Sequence, residues 1–145
     1  MTNSTSIWHN DIDLKQLNSF NQHTMIEHLG IEITERGEDF LTGTMPVDQR
    51  TQRPFGVLHG GALCSLAETL GSIAGNMTID FKKEIAVGMN LSANYLRPVT
   101  EGVVTGTATL IHKGKRTQLW DVSIINELKQ IVCCARLLLS VLPKN

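Results

Sequence analysis

The apolar positions of the chain change period twice, and the changes predict its elements. From Pro54 to Ile79 the sequence PFGVLHGGALCSLAETLGSIAGNMTI is almost wholly small and apolar. Within it Ala62, Leu66, Thr69 and Ile73 recur at helical spacing, as do Leu63, Ala67, Leu70 and Ala74. Two rows this close predict a helix that is buried nearly all round. The last third of the chain instead alternates with period two. Strands are expected over 86–96, 103–111, 117–125 and 131–142. Val104, Gly106, Ala108 and Leu110 share one face, Trp120, Val122 and Ile124 another, and Ile131, Cys133, Ala135, Leu137, Leu139 and Val141 a third. Turns at 98–102, 113–115 and 126–129 are short enough to make successive strands antiparallel neighbours.

Ahead of the helix, residues 31–35 and 40–47 read as a strand pair about the turn 36–39, with Pro46 at a strand end. Residues 48–58 read as a polar loop broken by Pro54 and Gly56. The N-terminal region, residues 1–28, reads as a helical extension. Residues 1–10 are expected to fray, Asp13 to cap a helix through about His23 with Leu14, Leu17 and Phe20 on one side, and 24–29 to form a further helical turn ended by Gly30. Residues 1–145 thus form one α+β domain: two strands, a buried helix and four strands. The helix covers one sheet face only, so a second subunit is the simple source of further cover.

Composition narrows the function. The formal net charge is −1 with no basic stripe, which disfavours nucleic acid. The start of the chain is polar and lacks the apolar core of a signal peptide. A membrane span is disfavoured because the apolar run holds five glycines, Asn76 and Glu68. The three cysteines, Cys64, Cys133 and Cys134, are an odd count and read as free core thiols in a reducing cytoplasm. His9, His23 and His28 read as ordinary polar residues, and no Cys/His cluster has metal-ligand spacing. Gly71 and Gly75 mark close approach of the helix to a sheet.

Chemistry concentrates at the helix. Glu68 is its one carboxylate, in a place where a charge is costly unless it is paired, protonated or used. A hydrogen-bonded structural acid and a catalytic acid are evenly balanced readings of the pattern. His59-Gly60-Gly61 opens the helix, so unpaired N–H groups at the positive end of its dipole could stabilise an oxyanion. His59 could equally bond a substrate or merely shape the turn. Ser72, one turn after Glu68, could position a water or the carboxylate, or simply allow close packing. At ~1.5 Å per residue, Glu68 lies roughly 12 Å from Gly60, which favours a site shared by two antiparallel helices from two subunits. A carboxylate beside an oxyanion site suggests acyl transfer to water, with Glu68 as general base or nucleophile. No Gly-x-Ser-x-Gly elbow is present.

The run RPFGVLHGGALCSLAETLGSIAG, with MPVDQRTQRPFGVLHGG, VGMNLSANYLRPVTEG and CCARLLLSV in order, resembles the hotdog-fold acyl-CoA thioesterases. The likeness runs from about Leu29 onward. It is greatest to the PaaI-like branch that holds 1,4-dihydroxy-2-naphthoyl-CoA hydrolase, the enterobactin-pathway proofreading thioesterase and the Arthrobacter-type 4-hydroxybenzoyl-CoA thioesterase. The resemblance implies a long helix wrapped by about six antiparallel strands, a homodimer with shared sites, and a homotetramer. It implies hydrolysis of an aromatic acyl-CoA with Glu68 as the catalytic carboxylate, Gly60 as oxyanion donor, and His59 and Ser72 beside them. Relatives carry Gln six residues before the histidine; Arg53 stands there and Gln52 adjoins it, so either could take that role. Coenzyme A, part of the substrate rather than a cofactor, is expected to meet Gly88, Tyr95, Leu96, Arg97 and the turn Lys113, Gly114, Lys115 and Arg116. No metal is expected. The alternatives are a hotdog dehydratase or hydratase, and a non-catalytic acyl-CoA-binding module.

Overall fold

The structure, a computed structural model, describes residues 6–145. Two short helices, α1 (Leu14–Ser19) and α2 (Met25–His28), precede the hairpin β1 (Glu32–Arg36) and β2 (Phe40–Pro46). A small hairpin, β3 (Gln52–Arg53) and β4 (Val57–Leu58), leads into α3 (Gly60–Met77). Four long strands follow: β5 (Glu84–Tyr95), β6 (Val103–Lys113), β7 (Thr117–Ile125) and β8 (Ile131–Pro143). Six of the strands form one antiparallel sheet in the order β1-β2-β6-β7-β8-β5. The helix α3 lies against β2, β5, β6, β7 and β8. This is the α+β hotdog arrangement that the sequence predicts. Among the described residues no helix is long and apolar enough to cross a membrane.

The alternation of the strands explains why the sheet closes on the helix. Leu41, Met45, Val104, Ala108, Trp120, Val122, Ile124, Leu137 and Leu139 are buried with Leu66, Ala67, Leu70 and Ala74 of α3. The opposite face is polar, with Thr42 and Thr107 hydroxyls bonded at 3.0 Å. Gly71 and Gly75 do bring the helix close. A Cβ on Gly71 would lie 2.5 Å from a Leu137 methyl, and one on Gly75 would overlap Leu139. Ile131 departs from its expected face: it is half exposed beside a register shift at the end of β7.

Four further expectations need correction. The strand β5 does not pair with β6 although a short connection joins them; it pairs with β8 at the sheet edge. The three strand spacings between β5 and β6 amount to ~14 Å, and the connecting residues 96–102 can span ~23 Å when extended. Three hydrogen bonds fasten this crossing: Leu96 N to Val132 O, Leu58 N to Val99 O, and Val47 N to Gly102 O, each 2.8 Å. The expected loop at 48–58 contains the β3–β4 hairpin, whose tip places Phe55 and Gly56 at φ +73°. The helix capped by Asp13 stops at Ser19 rather than near His23, and Phe20 is exposed. Of the three thiols only Cys133 is in the core; Cys64 is half-buried and Cys134 exposed.

The fraying expected of residues 1–10 also fails for 6–10; residues 1–5 lie outside the described part. Trp8 stacks on Trp120 with ring centroids 6.4 Å apart, and its indole N–H donates to Gly37 O at 2.7 Å. Asn10 caps the C-terminus of α3: its Nδ2 donates to Asn76 O, Met77 O and Ile79 O at 3.2, 3.3 and 2.7 Å. Carbonyls at a helix end have no partner within the helix. Asn10→Ala is therefore expected to cost about 1–3 kcal/mol, read as a lower melting temperature in thermal denaturation with the folded spectrum retained.

Candidate active site

The helix α3 is less enclosed than its apolar rows suggest. The sheet covers one side, and the side formed by Gly61, Cys64, Ser65, Glu68, Ser72 and Asn76 stays half-buried or open. Those residues recur at three- to four-residue intervals, so they form one stripe along the helix. In this chain Glu68 is accordingly half-buried, not buried. Among the described residues its carboxylate has one hydrogen-bond partner and one close neighbour in the sheet. Ser72 Oγ donates to Oε1 at 3.3 Å, and Oε1 lies over the α-carbon of Gly88, where a Cβ would approach it to 2.3 Å. Glu68, Ser72 and Gly88 thus form one group.

A second group surrounds the N-terminus of α3. The ring of His59 is the N-cap: its Nδ1 accepts from Gly61 N–H at 2.7 Å. An accepting Nδ1 puts the proton of a neutral imidazole on Nε2, which is left to donate outward. Ala62 and Leu63 donate to His59 O at 3.0 and 3.2 Å. Gly60 N–H is the one donor of this first turn without a partner among the described residues. The expected set of free amides thus narrows to one, because the histidine occupies its neighbour.

Gly60 opens onto a cleft of about 310 Å3 lined by Arg53, Tyr95, Leu96 and Arg97. A Cβ on Gly60 would lie 3.0 Å from the Tyr95 ring, so a larger residue there would push the tyrosine aside by a few tenths of an ångström. The Tyr95 hydroxyl pairs with Cys64 Sγ at 3.0 Å. That bond first, and burial second, push the phenol above its ordinary pKa, so it stays neutral. The pairing with Cys64 was not anticipated; its signal in the sequence is that Cys64 follows Gly60 by one helical turn. Burial, ahead of the neighbouring thiols, pushes Cys133 up to about 11.

Gln52 and Arg53 separate across the β3 strand. Arg53 lines the Gly60 cleft and donates to Pro54 O at 3.1 Å. Gln52 donates to Thr100 O at 3.1 Å and lines a smaller cleft of about 220 Å3 with His59, Ala62 and Ser65. The turn with Lys113, Gly114, Lys115 and Arg116 lies at the opposite end of the helix. Lys113 Nζ donates to Thr78 O, just past the last turn of α3, at 2.7 Å. The 18-residue helix is ~27 Å long, so this turn does not meet Gly60 of its own chain. No group of three or more His, Cys, Asp or Glu side chains able to hold a metal occurs among the described residues.

Comparison with known proteins bears on this arrangement. The sequence pattern of the "Thioesterase superfamily" matches residues 55–133, which include both groups. The proofreading thioesterase EntH of Cronobacter turicensis is 45% identical over 131 residues, 90% of this chain and 95% of that protein. A thioesterase structure from Haemophilus influenzae superposes with a TM-score of 0.92 at 44% identity, covering 94% of this chain and 95% of that one. A mutant thioesterase from Pseudomonas aeruginosa gives a TM-score of 0.94 at 40% identity, covering 96% of this chain and all of that one.

Proposed function

This chain belongs to the thioesterase superfamily, and from that membership we propose that it hydrolyses an aromatic acyl-CoA to the free acid and coenzyme A. The observation that carries the reading is Glu68: a carboxylate bonded by Ser72 and given room by Gly88 on the open stripe of an otherwise packed helix. The unpaired Gly60 N–H and the outward Nε2–H of His59 receive the thioester oxygen as it gains charge. Glu68 either takes a proton from water, which adds to the carbonyl carbon, or attacks that carbon itself. The C–S bond then breaks and the thiolate leaves as the protonated thiol. In the first route water supplies the new oxygen of the acid; in the second, attack by Glu68 leaves an anhydride that water opens at the Glu68 carbonyl, so the acid departs with a Glu68 oxygen and water restores the carboxylate.

One chain cannot complete this site, because its own Gly60 and Glu68 are roughly 12 Å apart along the helix. Two copies with antiparallel α3 helices would set Glu68 of each against Gly60 of the other. The edge strand β5, with Ile85 and Met89 exposed, suits such a homodimer, and a homotetramer could pair two dimers. The same packing would carry the Lys115–Arg116 turn of one copy toward the Gly60 cleft of the other. There Arg53 and Arg97 offer further charge for coenzyme A phosphates. The exposed free thiol of Cys134 suits a reducing compartment such as the cytoplasm. Neither a metal nor a prosthetic group enters the scheme.

Thiol release from a panel of aryl- and fatty-acyl-CoA esters tests the reading, ranked by kcat/KM. Hydration of crotonyl-CoA with no thiol release would replace it with a hydratase, and tight binding without turnover with a binding module. Arg97→Ala is expected to raise KM for the best ester about three- to tenfold with little change in kcat, an effect that shrinks as salt is added.

A further inference from the structure

A cavity of about 370 Å3 lies between the N-terminal segment and the C-terminal half of α3. Its wall is apolar, with Ile12, Leu17, Ile73 and Met77, and Phe20 and Phe81 are exposed beside it. Three polar side chains also line it, and two of them are engaged. Ser72 donates to Glu68 at 3.3 Å. Asn76 uses both ends of its amide: Nδ2 donates to Ser72 O and Ala86 O, and Oδ1 accepts from Ala86 N, all at 2.9 Å. Asn21 differs. It is 7% exposed, and its Nδ2 is buried with no hydrogen-bond partner among the described residues.

A buried amide with nothing to donate to destabilises the protein that holds it, whereas an apolar side chain of the same shape would not. Asn21 is part of the same cavity wall as Ser72, so a ligand that fills the cavity can bring the partner the amide lacks. Which end of the amide faces inward is interchangeable by rotation, so a hydroxyl can satisfy either end. The wall from Ser72 to Asn76 runs roughly 6 Å along the helix, room for a ring with its substituent beyond it.

We propose that Asn21 is a specificity-determining residue: the cavity receives the acyl group of the thioester, and the Asn21 amide bonds a hydroxyl or oxo substituent on its far end. This rests on the thioesterase reading above. It assigns a task to the N-terminal segment, which lies outside the matched family pattern.

The test compares wild type with Asn21→Leu on benzoyl-CoA and its ortho-, meta- and para-hydroxylated esters, together with the melting temperature of each ligand-free protein. Wild type is expected to prefer at least one hydroxylated ester by about tenfold in kcat/KM, and Asn21→Leu to abolish that ratio. The variant is expected to melt no lower than wild type, since it removes an unsatisfied group. An unmoved ratio would mean that a water satisfies the amide, and would overturn this proposal alone. A uniform loss on all esters with a lower melting temperature would make Asn21 structural and overturn it too. A wild type that hydrolyses no ester in this or the wider panel overturns the thioesterase reading and this proposal together.

Discussion

Glu68→Gln is expected to lower kcat for thioester hydrolysis by about 10²–10⁴-fold with the fold intact. The amide keeps the shape of the side chain and can still bond Ser72, whose hydroxyl lies 3.3 Å from Oε1. It can neither accept a proton from water at neutral pH nor attack a carbonyl. KM should move little, because the charge acts on the reacting centre and not on the distant coenzyme. Undiminished thiol release by this variant would remove Glu68 from the chemistry. A single turnover in heavy-oxygen water then separates the two routes. Direct activation of water places the label in the acid, whereas attack by Glu68 leaves label in the protein's own carboxylate.

Gly88→Ala is expected to be the next most damaging change, although residue 88 brings no reactive group. A Cβ there would sit 2.3 Å from Glu68 Oε1, well inside contact distance. The carboxylate must swing away and loosen its bond to Ser72. Misplacing a reacting group by about 1 Å can cost on the order of 10²-fold in rate. Gly88 is exposed and not at positive φ, so the substitution should leave the melting temperature close to wild type. The diagnostic result is a fall in kcat of about 10- to 100-fold with an unchanged melting curve. A large loss of stability with proportionate loss of activity would assign Gly88 to the sheet instead of to the carboxylate.

Much of this molecule was legible in local pattern. The period of apolar positions located α3 and the long strands, and Gly71 and Gly75 announced the close approach to Leu137 and Leu139. Residue types and spacing singled out His59, Gly60, Glu68 and Ser72 on one element. Three readings failed for one reason. Short connections place β5 beside β6, the two apolar rows make α3 buried nearly all round, and a polar start makes residues 1–10 fray. Each depends on where a remote part of the chain lies: β8 beside β5, open space along one helix stripe, and Asn10 and Trp8 on the end of α3 and on Trp120.

By itself the sequence determined the elements and the chemistry-bearing residues, because helical and strand periods are local and report which residues share a face. Only the tertiary structure decided what each face meets. Gly88 lies under Glu68 because the chain crosses to the far sheet edge after the helix. Arg53, not Gln52, faces the Gly60 cleft because of the register in which β3 pairs with β4. The unpartnered amide of Asn21 is visible only once α1 has packed on β1 and set the following residues across a cavity from α3. Side-chain period carries no information about the partner across a gap; the path of the chain sets it.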